Sequence, residues 1–382
     1  MWSIYRGNNL NPIPGGCKKE TDSAVATEAG IHASRSIPNN RNHDSLDAKR
    51  HNLKACPMRS PRLPAVVLIA TLVAIPSSGA FARNTGLIFV SFGSVNRLVV
   101  IDLKANTIVK NLKTSRGPRD MLFNADHSRL YVACRDDDVI DIIDVATLEV
   151  VGKLDTLSKP ETFGVDEKRR RLYVVNHEGA SLAIIDMGQN IVVHEVPTDG
   201  GPGGIFVGED GRFVYVASIV GDFIHLIDID RGQVVDDVVV GTRPRHIAAT
   251  PDGKELLVSA ELSGEVYIIN RSNFTVAARI GFSLPGRGAT VADLLLTRDG
   301  RTAYVLLGRA AQVAVVDVPT RSIRDYIPVG ERSGNIGITR DEETLFVTNV
   351  SGNDITAINI KSHEVTASIP LGRRPWTFVI DD

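Results

Sequence analysis

From about residue 85 to the C-terminus, short β-rich apolar runs recur at an almost constant spacing, each closed by an apolar residue followed by Asp or Asn. The closing residues are Asp102, Asp144, Asp186, Asp228, Asn270, Asp317 and Asn359, separated by 42, 42, 42, 42, 47 and 42 residues. A repeat of this period, filled with strands, marks the four-stranded blades of a propeller. Within residues 117–154 the four strands, a to d, read GPRDMLFN, RLYVACR, VIDIIDV and EVVGKL. Strands b and c are almost continuously apolar, because a blade sandwiched between two neighbours buries both faces. Strand d alternates and is placed at the solvent edge.

The polar positions between the runs supply the turns. Asp126, Asp166, Asp210, Asp252, Asp299 and Asp341 fall in a-to-b turns, and Gly211, Gly253 and Gly300 follow three of them. Asp-Gly provides a side-chain acceptor and a residue that tolerates positive φ, as tight hairpins require. The seven closing residues begin c-to-d turns, so both sets read as structural rather than catalytic. Six a-to-b turns serve seven closing residues, which leaves one blade incomplete. The first strand, TGLIFVSF, resembles a strand b, whereas the final RRPWTFVIDD resembles a strand a. The predicted fold over residues 83–382 is therefore all-β: a seven-bladed β-propeller with four-stranded blades, closed by the C-terminal strand completing the first blade.

Residues 58–82 have a basic start at Arg59 and Arg62, an apolar core from Ala65 to Ile75, and small residues at Ala80 and Ala82. That is the pattern of a secretory signal peptide cut after Ala82. The run is short for a membrane span, so no retained anchor is expected, and the mature chain is placed in the periplasm or outside the cell. Residues 1–57 are polar and unpatterned, and read as a disordered leader or a misassigned start preceding Met58. Of Cys17, Cys56 and Cys134, only Cys134 lies in the propeller, inside an apolar strand, as a buried structural thiol. The absence of a C-x-x-C-H motif excludes covalent haem. A net charge of -2, with 23% charged residues, gives no basic surface for nucleic acid. A monomer is expected.

Strands such as LYVVN followed by SLAIID, and LFVTN followed by DITAIN, resemble the repeats of the YVTN β-propeller family. With the export signal and the Gly-x-x-Pro motif, the chain is most similar to periplasmic propellers associated with PQQ-dependent catabolism. The resemblance spans residue 85 to the end. It implies a place beside quinoprotein alcohol or aldehyde oxidation and a periplasmic quinoprotein partner, and it transfers no catalytic residue. The only tryptophans are Trp2 and Trp376, unlike the Trp-rich quinoprotein dehydrogenases, so PQQ enters by association and not as a bound redox cofactor.

In a propeller the d-to-a and b-to-c loops share one face, where residues of all blades converge. The d-to-a connections read GPRD, KPET, GPGG, RPRH, SGNI and RPWT, and in five of these six Pro precedes the first channel residue. They present Arg119, Glu161, Gly203, Arg245 and Trp376 around one opening, with His246 and Asn335 beside them. The longer sixth repeat inserts SLPGRGATVAD and places Arg287 and Asp293 near the same rim. The b-to-c loops add Asp136, Asp137, Asp138, His177, Glu178, Asp222, Glu261, Asn353 and Asp354. Several carboxylates could gather a cation, but no local ligand spacing supports one, and no metal site is assigned. The ligand-binding candidates are Arg119, Glu161, His177, Arg245, His246, Asp293, Asn335 and Trp376. Two readings follow: a binding or scaffold module for a small molecule or a quinoprotein partner, or a lactonase-like hydrolase using His246 and Glu161.

Overall fold

The computed structural model describes residues 84–156, 158–199, 201–284 and 288–382. The expectations for the leader and the signal peptide, and the position of Arg287, lie outside the described residues. Seven sheets are present, each of four antiparallel strands. Blade two is representative, running Pro118–Phe123, Arg129–Cys134, Val139–Asp144 and Glu149–Asp155 from the axis outward. The innermost strands of blades two to seven are Pro118–Phe123, Pro160–Asp166, Pro202–Val207, Pro244–Ala249, Val291–Leu296 and Ser333–Ile338. Each touches the next. The last touches Phe378–Asp381, which returns to Pro118–Phe123 and so closes a ring.

The apolar middle strands explain why sheets stack face to face. Tyr131, Ala133 and Ile140 of blade two form one buried cluster with Leu172, Val174 and Ala183 of blade three. Equivalent clusters fill the other six interfaces, including that between blades seven and one. Outer strands alternate as expected, and each pairs with its neighbour through a bulge, for example between Ile142 and Ile143. A bulge twists an edge out of register for pairing with another chain.

Both sets of turn residues are structural, as predicted. Asp102, Asp144, Asp186, Asp228, Asn270, Asp317 and Asn359 each accept a backbone N–H within their c-to-d turn. In the a-to-b turns, Asp252 accepts from Thr250 Oγ1 and Lys254 N, which holds its carboxyl down at about 2.

Ring closure is a strand pairing. Phe378–Asp381 lies antiparallel to Leu87–Val90, with Leu87 opposite Asp381. Asp381 is fully buried; its carboxylate accepts from Thr85 N at 3.1 Å and from the Thr85 hydroxyl, and contacts His127 Nδ1 of blade two at 2.7 Å. The His127 ring stacks on Phe123 with centroids 4.8 Å apart. The chain ends thus meet in one sheet and are tied to the neighbouring blade.

Candidate functional site

The start of the innermost strand sets the site. In blades two to seven its pairing with strand b shifts register near the first residues, as between Pro118 and Met121 or Pro244 and Ile247. A bulge leaves residues out of the ladder and re-aims their side chains. Pro suits this place because its missing N–H costs no ladder bond. The bulge leaves two residues out of the ladder in blades two, four and five and one in blades three, six and seven, while Trp376 and Thr377 directly precede the closing strand of blade one. The first layer, at the mouth, is Arg119, Glu161, Gly203, Arg245, Ala292, Gly334 and Trp376. The second is Asp120, Thr162, Gly204, His246, Asp293, Asn335 and Thr377.

The second layer forms a hydrogen-bonded belt. Thr162 donates its hydroxyl to Asp120 across blades two and three. Asp293 is the hub of blades five to seven: Oδ1 lies 2.9 Å from His246 Nδ1 and accepts from Leu294 N at 2.8 Å. Its Oδ2 accepts from Asn335 Nδ2 at 2.7 Å and Ile336 N at 3.1 Å. Asn335 Oδ1 then accepts from Phe378 N of the closing strand at 3.3 Å. One carboxylate therefore holds three blades together and orients one imidazole.

Burial governs the charges here. Desolvation raises the Asp120 carboxyl, against the opposing pull of Thr162, the Met121 N–H and His246. Desolvation also depresses His246, but the charge and hydrogen bond of Asp293, with the charge of Asp120, more than offset it, so its pKa is raised. The His246 side chain is 48% exposed. A raised folded pKa means that His246 stabilises the fold most fully below the unfolded value, about 6.5, and loses this contribution as pH rises through the folded value. The melting temperature of His246→Gln is expected to fall short of wild type at pH 6 and to converge on it toward pH 9. A gap independent of pH would remove the assignment.

At the mouth, Arg119 lies over Trp376, with Cζ 4.0 Å from the ring centroid. Gly93 of the first b-to-c loop lies against both groups: an added methyl would stand 2.5 Å from Arg119 Nη1 and 3.5 Å from Trp376 Cε3. The bare backbone at Gly93 thus leaves the room that Arg119 occupies over the ring. Desolvation lowers the Arg119 pKa, Arg135 and Arg245 push the same way, and Glu161 and Asp136 oppose. Glu161 Oε2 stands 3.7 Å from Arg135 Nε, too far for a hydrogen bond. Arg245 pairs with Glu261 at 3.2 Å, and Arg243 shares that carboxylate at 3.3 Å.

Arg119, Glu161, Arg245, His246, Asp293, Asn335 and Trp376 therefore lie at the two axial layers. Asp293 departs from expectation, since it sits 3% exposed in an inner strand and not on the inserted loop. His177 belongs to neither layer: Nδ1 contacts the Pro202 carbonyl at 2.9 Å and the ring packs on Gly201. The loop acids do not gather. Asp137 pairs with Arg116, Glu178 with Arg135 and Lys159, and Asp138 and Asp222 accept the Lys159 and Arg243 N–H groups. Among the described residues, no group of three or more His, Cys, Asp or Glu is arranged to hold a metal. Cys134 is buried, and desolvation raises its thiol pKa, as for an inert core residue. Asp120, Thr162, Arg135 and Gly93 went unrecognised as site residues in the sequence reading. Only the Pro at the strand start signalled where the bulge falls.

Ring, bulged inner strands and convergent belt define a seven-bladed β-propeller whose candidate site is the channel mouth. More particularly, residues 67–254 match the model of the YNCE-like beta-propeller family, a stretch that takes in three strands of blade one, all of blades two to four and the innermost strand of blade five. No curated protein matches the sequence. Among solved structures, a functionally unknown protein from Desulfotomaculum acetoxidans DSM 771 aligns with a TM-score of 0.66 at 16% identity, covering 78% of this chain and 99% of that one. A candidate 6-phosphogluconolactonase from Bacteroides uniformis ATCC 8492 aligns at 0.65 and 17%, covering 78% and 99%. Hydrazine synthase of Kuenenia stuttgartiensis aligns at 0.61 and 18%, covering 70% and 90%. At such identities the likeness establishes the fold alone.

Proposed function

We propose that this chain is an exported module that binds a small molecule at its channel mouth, as an accessory to periplasmic oxidation of the quinoprotein type. The observation that carries the reading is the set of polar side chains that five of the six bulged inner strands bring together at their starts, with Asp293 joining three blades. Structural turns do not need such a set, and bulges that re-aim side chains concentrate beside binding sites. Export rests on residues 58–82, and the quinoprotein association on the repeat resemblance. Among the described residues no helix is long and apolar enough to cross a membrane.

A second reading has its own observation. His246 has one ring nitrogen fixed by Asp293 while its ring faces the channel, which is the arrangement of an oriented general base. A lactonase-like hydrolase would use it to activate water. The test is D-glucono-δ-lactone hydrolysis with and without divalent metals, in parallel with cell fractionation and affinity capture. The binding reading expects no turnover, a periplasmic chain beginning at Arg83, and co-purification with a dehydrogenase. Turnover abolished by His246→Ala or Glu161→Ala would replace it with the hydrolase. A cytoplasmic chain retaining residues 58–82 would remove export.

A further inference from the structure

We infer that the channel mouth selects a small hydroxy acid, its carboxylate taken by Arg119 and Arg135 and its hydroxyl by Glu161. The inference rests on the binding reading above and names the ligand class for that site. Its first support is the arrangement of charge. Arg135, Arg243 and Arg245 each have a carboxylate within 4.0 Å, shared in the case of Glu261. Arg119 has none within that distance among the described residues, although it is half-buried and sits between the fields of Arg135 and Arg245. Glu161 and Asp136 act against Arg135 and Arg245 there, but neither pairs directly with Arg119, and a half-buried cation without a contacting carboxylate favours a bound anion. Trp376 and Gly93 hold the guanidinium at the mouth, and a guanidinium can take a carboxylate by two parallel hydrogen bonds.

The second support is independent of charge. Arg119 Nε, Arg135 Nε and Glu161 Oε2 are buried atoms with no hydrogen-bond partner. Two are donors and one is an acceptor. A carboxylate answers both donors and leaves Glu161 needing a donor from the ligand, which a hydroxyl supplies. A neutral polyol leaves Arg119 without a counterion, and a plain fatty acid sets its carboxylate beside Glu161 with no donor between. Neighbouring side chains cover the three atoms, so the ligand reaches them as the long Arg and Glu side chains turn. Trp376, 38% exposed, offers an apolar surface to the C–H groups of the ligand.

Calorimetric titration of the full chain separates these cases, with D-gluconate, D-glucitol and butyrate as probes. D-Gluconate is expected to bind at least about tenfold more tightly than either control. Arg119→Gln should weaken D-gluconate by about tenfold or more, and Glu161→Gln should narrow the gap between D-gluconate and butyrate. Gly93→Ala keeps every charge but displaces the guanidinium, and should weaken D-gluconate even if Arg119→Gln misfolds. Equal binding of D-gluconate and D-glucitol, lost in His246→Ala, would overturn the anion selectivity while leaving a small-molecule site intact. D-Gluconate binding unchanged in Gly93→Ala and Arg119→Gln, or absent altogether, would overturn the inference.

Discussion

Removal of residues 375–382 is expected to abolish stable folding, or at the least to lower the melting temperature by more than about 10 °C. The deletion takes away Phe378, which packs into the core between blades one and seven, and a large-to-small change at one such side chain costs about 3–5 kcal/mol. It also strips the Trp376 N–H to Ser91 O and Ser91 N–H to Thr377 O bonds, at 2.8 and 2.9 Å, from the first blade. Losing Asp381 separates His127 and Thr85 from their buried partner. In addition, Leu87–Ser91 becomes an uncovered edge inside the ring, facing the axis with unpaired backbone groups. Domains hold only about 5–15 kcal/mol in total, so these losses are of the order of the whole. Thermal melts followed by circular dichroism decide the matter. A truncated chain melting with wild type would mean that the blades hold together without the closing strand.

That prediction could be framed from sequence because closure depends on local patterns. A strand lacking its a-to-b turn at one end and a spare strand a at the other are visible in any chain with a clean period. Turn chemistry was equally legible, since Asp252 or Asp144 acts on groups within a few residues. The site was legible through its first layer and, in the second, at His246, Asp293 and Asn335, whereas Asp120 and Thr162 went unseen. Pro244 announces Arg245 and His246 after it, but the bulge itself is a feature of pairing and leaves no mark in spacing, so Asp120 behind Arg119 was passed over. Asp293 was misplaced for the same reason, because a longer connection looks like a rim loop until the strand Val291–Leu296 is seen to begin inside it. Arg135 and Gly93 belong to blades adjacent to the residues they touch, and convergence across blades is a property of the closed ring. Thr162 and Asp120 are 42 residues apart, one repeat, so only stacking neighbouring repeats brings them together.

Gly204→Ala tests that ring geometry at its tightest point, and is expected to cost about 3 kcal/mol or more, at the upper end for overpacking. A methyl on Gly204 would stand 1.7 Å from the Arg245 carbonyl oxygen and 2.7 Å from its carbon, so the backbones of blades four and five must separate. Rigid backbone on both sides leaves no rotamer to absorb the strain. Gly203 is the internal control: its methyl would meet the end of the Ile219 side chain at 2.4 Å, which can turn away, and Gly203→Ala should cost about 1 kcal/mol. Chemical denaturation reports both, with the midpoint falling and the slope unchanged if the denatured state is unaltered. Equal, small losses would show that the inner strands are looser than the closed ring requires. The same substitution bears on the site, because the displaced Arg245 carbonyl directly precedes His246. A shift there moves the imidazole relative to Asp293, so Gly204→Ala should also reduce the pH-dependent part of the melting temperature assigned to His246.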